Sequence, residues 1–380
     1  MSTYLPRLPK SCHWLWLRYW PDLSLPLQQI PKMLFMKTNP ILLILIVTAN
    51  LAISVGVADA PRPPVRIIFD TDIGNDVDDA LALGLLHSLQ TRGACELLGV
   101  TITRCDELAG PYVNAVNHFY GRAQLPVGCI RGTPESDTSK FLPLVAVRDG
   151  DAFRYPHELR RSSDAPDALK LLRRLLAAQP DGSVTLVQVG YFSNFAALLD
   201  TPADEFSPLK GLDLVRQKVK LLSVMAGAFQ TVEDNNHICE FNVVRDIPAA
   251  QKLAREWPTP IVWSGFEVGM ALPYPAGSIE RDYHYVSHHP IAASYFAYMP
   301  PPHERPTWDL TSALYAVLPE RGYFGLSSPG TVTVEADGFT RFSPKAGGRD
   351  RFLKLDALQR ARTLEALVQL CVEPPPRGGK

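Results

Sequence analysis

From residue 65 onward, short apolar runs alternate with amphipathic stretches, a pattern that points to parallel strands joined by crossover helices. Runs rich in β-branched and aromatic residues predict strands at 65–70, 97–103, 184–189, 219–225 and 260–263. Apolar positions at helical spacing predict helices at 79–90, 112–120, 165–178, 192–199, 248–256 and 308–317. The stretch 322–342 reads as a closing hairpin, and residues 371–380, with three prolines and two glycines, read as a disordered tail. The expectation is one α/β domain over residues 61–370, with a mostly parallel central sheet flanked by helices. In open sheets of this kind a ligand site lies at the carboxyl ends of the strands.

The first 60 residues do not follow this pattern. The stretch 41–57 is apolar and uncharged, Lys37 precedes it, and Ala58-Asp-Ala60 has the small-x-small form of a signal-peptidase site. The expected start is Met36 with cleavage after Ala60, which makes the protein exported, periplasmic or secreted; a retained membrane anchor is the competing reading. Residues 1–35 then form an upstream extension. Cleavage leaves 33 basic and 37 acidic residues, a formal charge of −4, against −1 for the whole chain. Neither value gives an electrostatic case for binding nucleic acid. The six cysteines form no CxxC pair and have no histidine spacing suited to zinc, so each reads as a small core residue.

Candidate chemistry concentrates in Asp70-Thr-Asp-Ile-Gly-Asn-Asp-Val-Asp-Asp79, which follows the first predicted strand. Five carboxylates this close repel one another, and burying them costs several kcal/mol each unless a cation compensates. Ligands that are all oxygen select a hard ion, Ca2+ or Mg2+. An EF-hand is excluded, because the twelfth position from Asp70 is Leu81, where that loop needs a bidentate Glu. A phosphatase with an Asp nucleophile also begins D-x-D after its first strand, yet the second acid pair here has no place in that pattern. Further polar clusters fall at the same ends of predicted strands: Gly190 to Asn194, Glu233 to Asn236 and Glu240-Phe-Asn242.

The run from Asp70 through Ala82 resembles the N-terminal signature of the inosine-uridine preferring nucleoside hydrolases, which cleave the N-glycosidic bond of ribonucleosides with one Ca2+. The likeness continues in order through Gly99-Val-Thr101, Val187-Gln-Val-Gly190 with Asn194, Met225-Ala-Gly227, Glu240-Phe-Asn242 with Asp246 and Ala249-Ala250, and Trp308-Asp309. It implies a Rossmann-like open sheet, a nucleoside or riboside as small-molecule partner, and a homo-oligomer. By the same resemblance Asp72, Asp79, Asp309 and the main-chain carbonyl of Val189 hold calcium. Asp78 is the general base for the water that attacks C1′, and Glu240 and Asn242 hold the ribose hydroxyls. Asp70 and Asp76 shape the loop or hold the ligands in place.

Two positions depart from the family pattern. Trp308 stands where many members have a His that helps the base leave, and an indole can only stack on a base or shape the pocket. Asp106 stands where a ribose-binding Asn is expected. Tyr283, His284, Tyr285, His288 and His289 lie upstream of Trp308, and surface or capping roles outweigh catalysis for each. A calcium-dependent nucleoside-binding protein without turnover is the alternative from a different class, and a metal-dependent phosphohydrolase the weaker one.

Overall fold

The computed structural model describes residues 63–132 and 138–376; the segment ending at Ala60 lies outside the described residues. The chain opens with β1 (Val65–Thr71), α1 (Asp78–Thr91), β2 (Cys95–Ile102), α2 (Ala109–Phe119) and β3 (Val127–Cys129). A small two-stranded excursion, β4 (Arg148–Asp149) with β5 (Ala152–Phe153), precedes α3 (Ala168–Ala177), β6 (Val184–Gln188), α4 (Ser193–Asp200) and α5 (Gly211–Lys218). Next come β7 (Val219–Met225), α6 (Phe241–Arg245), α7 (Ile247–Glu256), β8 (Ile261–Ser264), α8 (Phe266–Met270), α9 (Ala276–Arg281), α10 (Pro290–Tyr298) and α11 (Trp308–Val317). The chain closes with β9 (Gly325–Leu326), β10 (Gly330–Val334), β11 (Thr340–Pro344), β12 (Asp350–Lys354) and α12 (Ala357–Cys371).

The main sheet runs β11-β10-β12-β8-β7-β6-β1-β2-β3, with β9 paired to β12. From β12 through β3 every pairing on this path is parallel, and only the pairings made by β9, β10 and β11 are antiparallel. All strands and helices expected from the sequence form, within a few residues of the expected limits, and the hairpin expected at 322–342 is β10–β11. Cys371, the first residue of the stretch expected as a tail, is instead the last residue of α12 and fully buried, and residues 377–380 lie outside the described residues.

The central strands are covered on both faces, which is why β1 and β6 read as near-continuous apolar runs rather than alternating ones. One core cluster lies under α1, α2, α10, α11 and α12, and the other under α3, α4, α5 and α7. Helix α1 buries twelve of its fourteen residues, so it serves as a central post between the sheet and its neighbours rather than as a surface helix. Strand order reverses at β1, whose neighbours are β2 on one side and β6 on the other. The acidic loop leaves β1 at that switch point, where open parallel sheets make their ligand crevice.

Candidate metal centre and substrate site

The end of β1 is built to carry carboxylates. Asp70 pairs in register with Thr101 on β2 and Gln188 on β6. Its Oδ1 accepts the Thr101 hydroxyl at 2.5 Å and the Asn194 side-chain amide at 2.8 Å. Burial pushes the Asp70 carboxyl up to about 7 even though both hydrogen bonds favour its charged form. Gly190, just beyond β6, passes so close that a Cβ there would lie 2.4 Å from the Asp72 backbone nitrogen and 2.7 Å from the Thr71 carbonyl carbon. Only glycine lets these two strand ends approach this closely. The Val189 carbonyl is thereby delivered beside the acidic loop.

The N-termini of α1 and α11 converge on one point. Asp78 and Asp79 open α1, Asp309 sits in the first turn of α11, and all three are buried. One carboxylate oxygen from each lies within 4.8 Å of the other two. The Asp309 backbone N–H donates to Asp78 Oδ2 at 3.1 Å, and the Thr71 hydroxyl donates to Asp79 Oδ1. All three carboxyls are raised well above the usual range, first by burial and then by neighbouring negative charges. Asp72 lies outside that trio, but its charge acts on Asp70, Asp78, Asp79 and Asp309. Two helix N-termini offset part of this repulsion, yet each is worth only about 0.3–2 kcal/mol to an anion. These buried carboxylates can ionise together only beside a cation, so the cluster is a candidate metal site, and its all-oxygen donor set fits a hard ion.

Around this cluster the remaining candidates have definite partners. The Asn242 side-chain N–H donates to the Val189 carbonyl at 2.8 Å and to the Met225 carbonyl at 3.2 Å, and so splints the ends of β6 and β7. Glu240 accepts from the backbone N–H groups of Asn242, Val243 and Gly227, which caps α6, and burial pushes its carboxyl up to about 7. Asp76 is held by Arg305, whose Nε lies 2.9 and 3.0 Å from its two oxygens and whose Nη2 also donates to it. The Asp106 carboxylate accepts the Leu108 N–H at 2.8 Å at the start of α2 and lies 3.7 Å from Arg104 Nε. The Trp308 indole stacks on Phe266 and donates its N–H to the Phe266 carbonyl at 2.9 Å. The structure therefore groups Asp78, Asp79 and Asp309, commits Glu240 and Asn242 to backbone groups, and turns Asp106 to a helix start.

Comparison with known proteins decides what this arrangement belongs to. The family model for inosine-uridine preferring nucleoside hydrolase matches residues 67–349. The chain belongs to that family. Its structural neighbours include nucleoside hydrolases and effector proteins. A plant nucleoside hydrolase superposes with a TM-score of 0.60 at 20% identity, covering 82% of this chain and 100% of the other. The inosine-uridine preferring nucleoside hydrolase from Bacillus anthracis gives 0.61 at 17% identity, covering 81% and 99%. The type III effector protein XopQ, complexed with adenosine diphosphate ribose, gives 0.60 at 16% identity, covering 82% and 96%. At these identities the superpositions establish the fold. No curated protein sequence matches the chain.

Sequence reasoning missed the basic partners of this nucleoside hydrolase-type site. Arg305 reaches Asp76 across 229 positions and lies 5.1 Å from the Trp308 ring and 5.3 Å from the Tyr298 ring. Arg104 is buried at the end of β2, and its Nε lies 3.4 Å from where a Gly74 Cβ would stand. An arginine directly after a predicted strand at the site end of the sheet was the available signal for Arg104. Of the aromatic and histidine group upstream of Trp308, Tyr283 bonds Tyr274 at 2.9 Å, and His289 accepts the Ile291 N–H at 3.2 Å as the cap of α10. His289 has the capping role expected for it, whereas Tyr283 is buried in the core rather than on the surface.

Proposed function

We propose that this nucleoside hydrolase family member hydrolyses the N-glycosidic bond of ribonucleosides or related N-ribosides, with calcium in the carboxylate cluster. The observation that carries the reading is the convergence of Asp78, Asp79 and Asp309 within 4.8 Å at the switch point of the sheet. In this account Asp72, Asp79, Asp309 and the Val189 carbonyl hold the ion. The Val189 oxygen has a second lone pair beyond the one used by Asn242. A calcium ion so held supplies positive charge to the sugar hydroxyls and to a water, and makes that water easier to deprotonate.

Asp78 takes the proton of the attacking water. A base for that step must lie within hydrogen-bond reach of the attacking water, and the place of Asp78 among the carboxylates that would hold the ion agrees with the role. The Asp309 N–H fixes one Asp78 oxygen and leaves the other for the proton. The surrounding carboxylates stabilise the positive charge that develops on the sugar as the bond to the base breaks. Glu240 and Asn242 orient the ribose, and their bonds to backbone groups set where their remaining lone pairs and protons point. Export through the segment ending at Ala60 places the site where calcium is abundant enough to fill even weak sites.

Trp308 supports a second reading. Its N–H is spent on the Phe266 carbonyl and it is 7% exposed, so it offers no proton to a leaving base. A protein that binds a nucleoside or a ribose derivative such as ADP-ribose, without cleaving it, shares every other feature. Release of free base from a panel of ribonucleosides and ADP-ribose, in saturating calcium, separates the two. Hydrolysis requires free base from at least one compound. Calorimetric binding of an intact compound with no product supports the binding protein.

A further inference from the structure

The loop from β7 to α6 carries a second group of side chains with ligand chemistry, separate in its residues from the carboxylate cluster. His237 Nε2 lies 2.8 Å from Asp337 Oδ2. Cys239 completes the set, and the three ligand atoms all lie within 4.8 Å of one another. Sequence spacing hides this group, because Asp337 lies on the turn between β10 and β11, one hundred positions from His237.

Local structure holds each of the three in place. Val232 and Asn235 exchange backbone hydrogen bonds of 3.0 and 2.9 Å around a two-residue turn in which Glu233 and Asp234 have φ of 47° and 63°. Both central residues of a type I′ turn are left-handed, a conformation that non-glycine residues adopt at a cost. The turn places Asn235 so that its Oδ1 accepts the His237 N–H at 2.9 Å. Ile238 is buried, while His237 on one side of it is exposed and Cys239 on the other is half-buried. The imidazole stacks on Phe339 with centroids 4.3 Å apart and planes 13° apart. On the hairpin side, Asp337 Oδ1 accepts the Phe339 N–H at 3.0 Å, which aims Oδ2 at the imidazole. A His–Asp ion pair by itself needs no thiol, yet Cys239 is brought within the same reach.

We propose that His237, Cys239 and Asp337 bind one zinc ion, with water in the fourth position. One imidazole nitrogen, one thiolate sulfur and one carboxylate oxygen form a mixed set that suits Zn2+ and excludes the all-oxygen preference of Ca2+. His237 and Asp337 side chains are 50% and 36% exposed, so the ion and its water have access from solvent. Binding displaces the thiol proton to solvent. The ion ties the β7–α6 loop to the β10–β11 hairpin, which the Thr340 hydroxyl already joins to Ala228 at the end of β7. Cys239 directly precedes Glu240, so zinc fixes the segment that presents Glu240 and Asn242. The site does not depend on the hydrolase reading, since it uses none of the residues assigned to that chemistry.

The test is a cobalt titration of the full reduced chain in excess calcium, followed by absorbance. The expected result is a thiolate-to-cobalt charge-transfer band and tetrahedral d–d bands that saturate at one equivalent and are bleached by Zn2+. Cys239→Ser abolishes the charge-transfer band, whereas Cys105→Ser, at an exposed thiol away from the site, leaves it. In zinc competition, His237→Ala and Asp337→Asn each weaken binding by at least about 100-fold, the upper end of what residues that merely support a ligand cause. Absence of the band, or a band that survives Cys239→Ser, overturns the proposal and leaves a surface ion pair only. The readout is optical and stoichiometric, so it stands whether or not the protein cleaves a nucleoside.

Discussion

Replacing Arg305 by Met tests how the two halves of the site are tied together. The guanidinium clasps both oxygens of Asp76 in the acidic loop and lies over the rings of Tyr298 and Trp308, three residues before α11 delivers Asp309. Met keeps most of the apolar stem and removes the charge. Breaking a fully buried pair costs about 3–5 kcal/mol because one charge is left without its partner. Arg305 and Asp76 are 18% and 16% exposed, so water recovers part of that, and the expected loss is about 2–3 kcal/mol. In thermal unfolding with saturating calcium this appears as a fall of roughly 3–5 °C for a domain of this size. Asp76→Asn removes the stranded charge, so the double variant regains at least about 1 kcal/mol relative to the sum of the single changes. The Asp78 carboxyl, raised by burial and by the Asp76 charge, is held down in part by Arg305. Its loss therefore moves the acid limb of any activity profile to higher pH. Additive single and double variants, or an acid limb that does not move, would refute this account of Arg305.

Three further outcomes follow from the geometry. Asp78→Asn keeps the oxygen that accepts the Asp309 N–H but removes the base, so turnover falls by about 10²–10⁴ while calorimetric calcium affinity changes by less than about tenfold; Asp72→Asn shows the converse, a loss of calcium affinity. Gly190→Ala drives a Cβ into the Asp72 backbone and destabilises the fold by about 3 kcal/mol in denaturant titration, with calcium binding weakened in the folded fraction. In the calcium-free protein Asp78, Asp79 and Asp309, raised by burial and mutual charge, favour the folded state when protonated, and that contribution is lost as pH rises through their raised values. Calcium restores it, so the thermal shift it produces is larger at about pH 8 than at about pH 5.5. His87 and His289, lowered to about 3 by burial, destabilise the fold below about pH 6.5 with or without calcium and so cancel from that difference.

The fold was legible where local pattern and burial agree. β1, β6 and β7 are covered on both faces, and their apolar runs announce them. Helix α10 was missed because it is apolar on every side and shows no helical stripe, and β3 because it has only three residues. Helix α12 carried a signal that went unread: the Asp356 side chain accepts from Gln359 N–H while the Gln359 side chain accepts from Asp356 N–H. In the site, the acidic loop could be read because so many carboxylates at one strand end have no packing explanation, whereas Asp309, in the first turn of α11, was picked out only by the family resemblance of Trp308-Asp309. Arg305 could not, since it sits in a proline-rich loop without periodicity and gains meaning only when α11 brings it to Asp76. Glu240 and Asn242 stood out in the sequence as a polar cluster beyond a predicted strand, but their bonds to the Gly227, Val189 and Met225 backbone depend on how β6 and β7 end side by side.

The central claim is that the carboxylate cluster is a calcium centre that drives N-riboside cleavage. Its most direct test follows free-base release and calcium binding in one titration of chelator-treated protein, with a cleavable ribonucleoside chosen from the panel. The account predicts that release rises in proportion to calcium occupancy, saturates at one bound ion, and returns to background when chelator is restored. Full calcium occupancy with no base released from any nucleoside would contradict it.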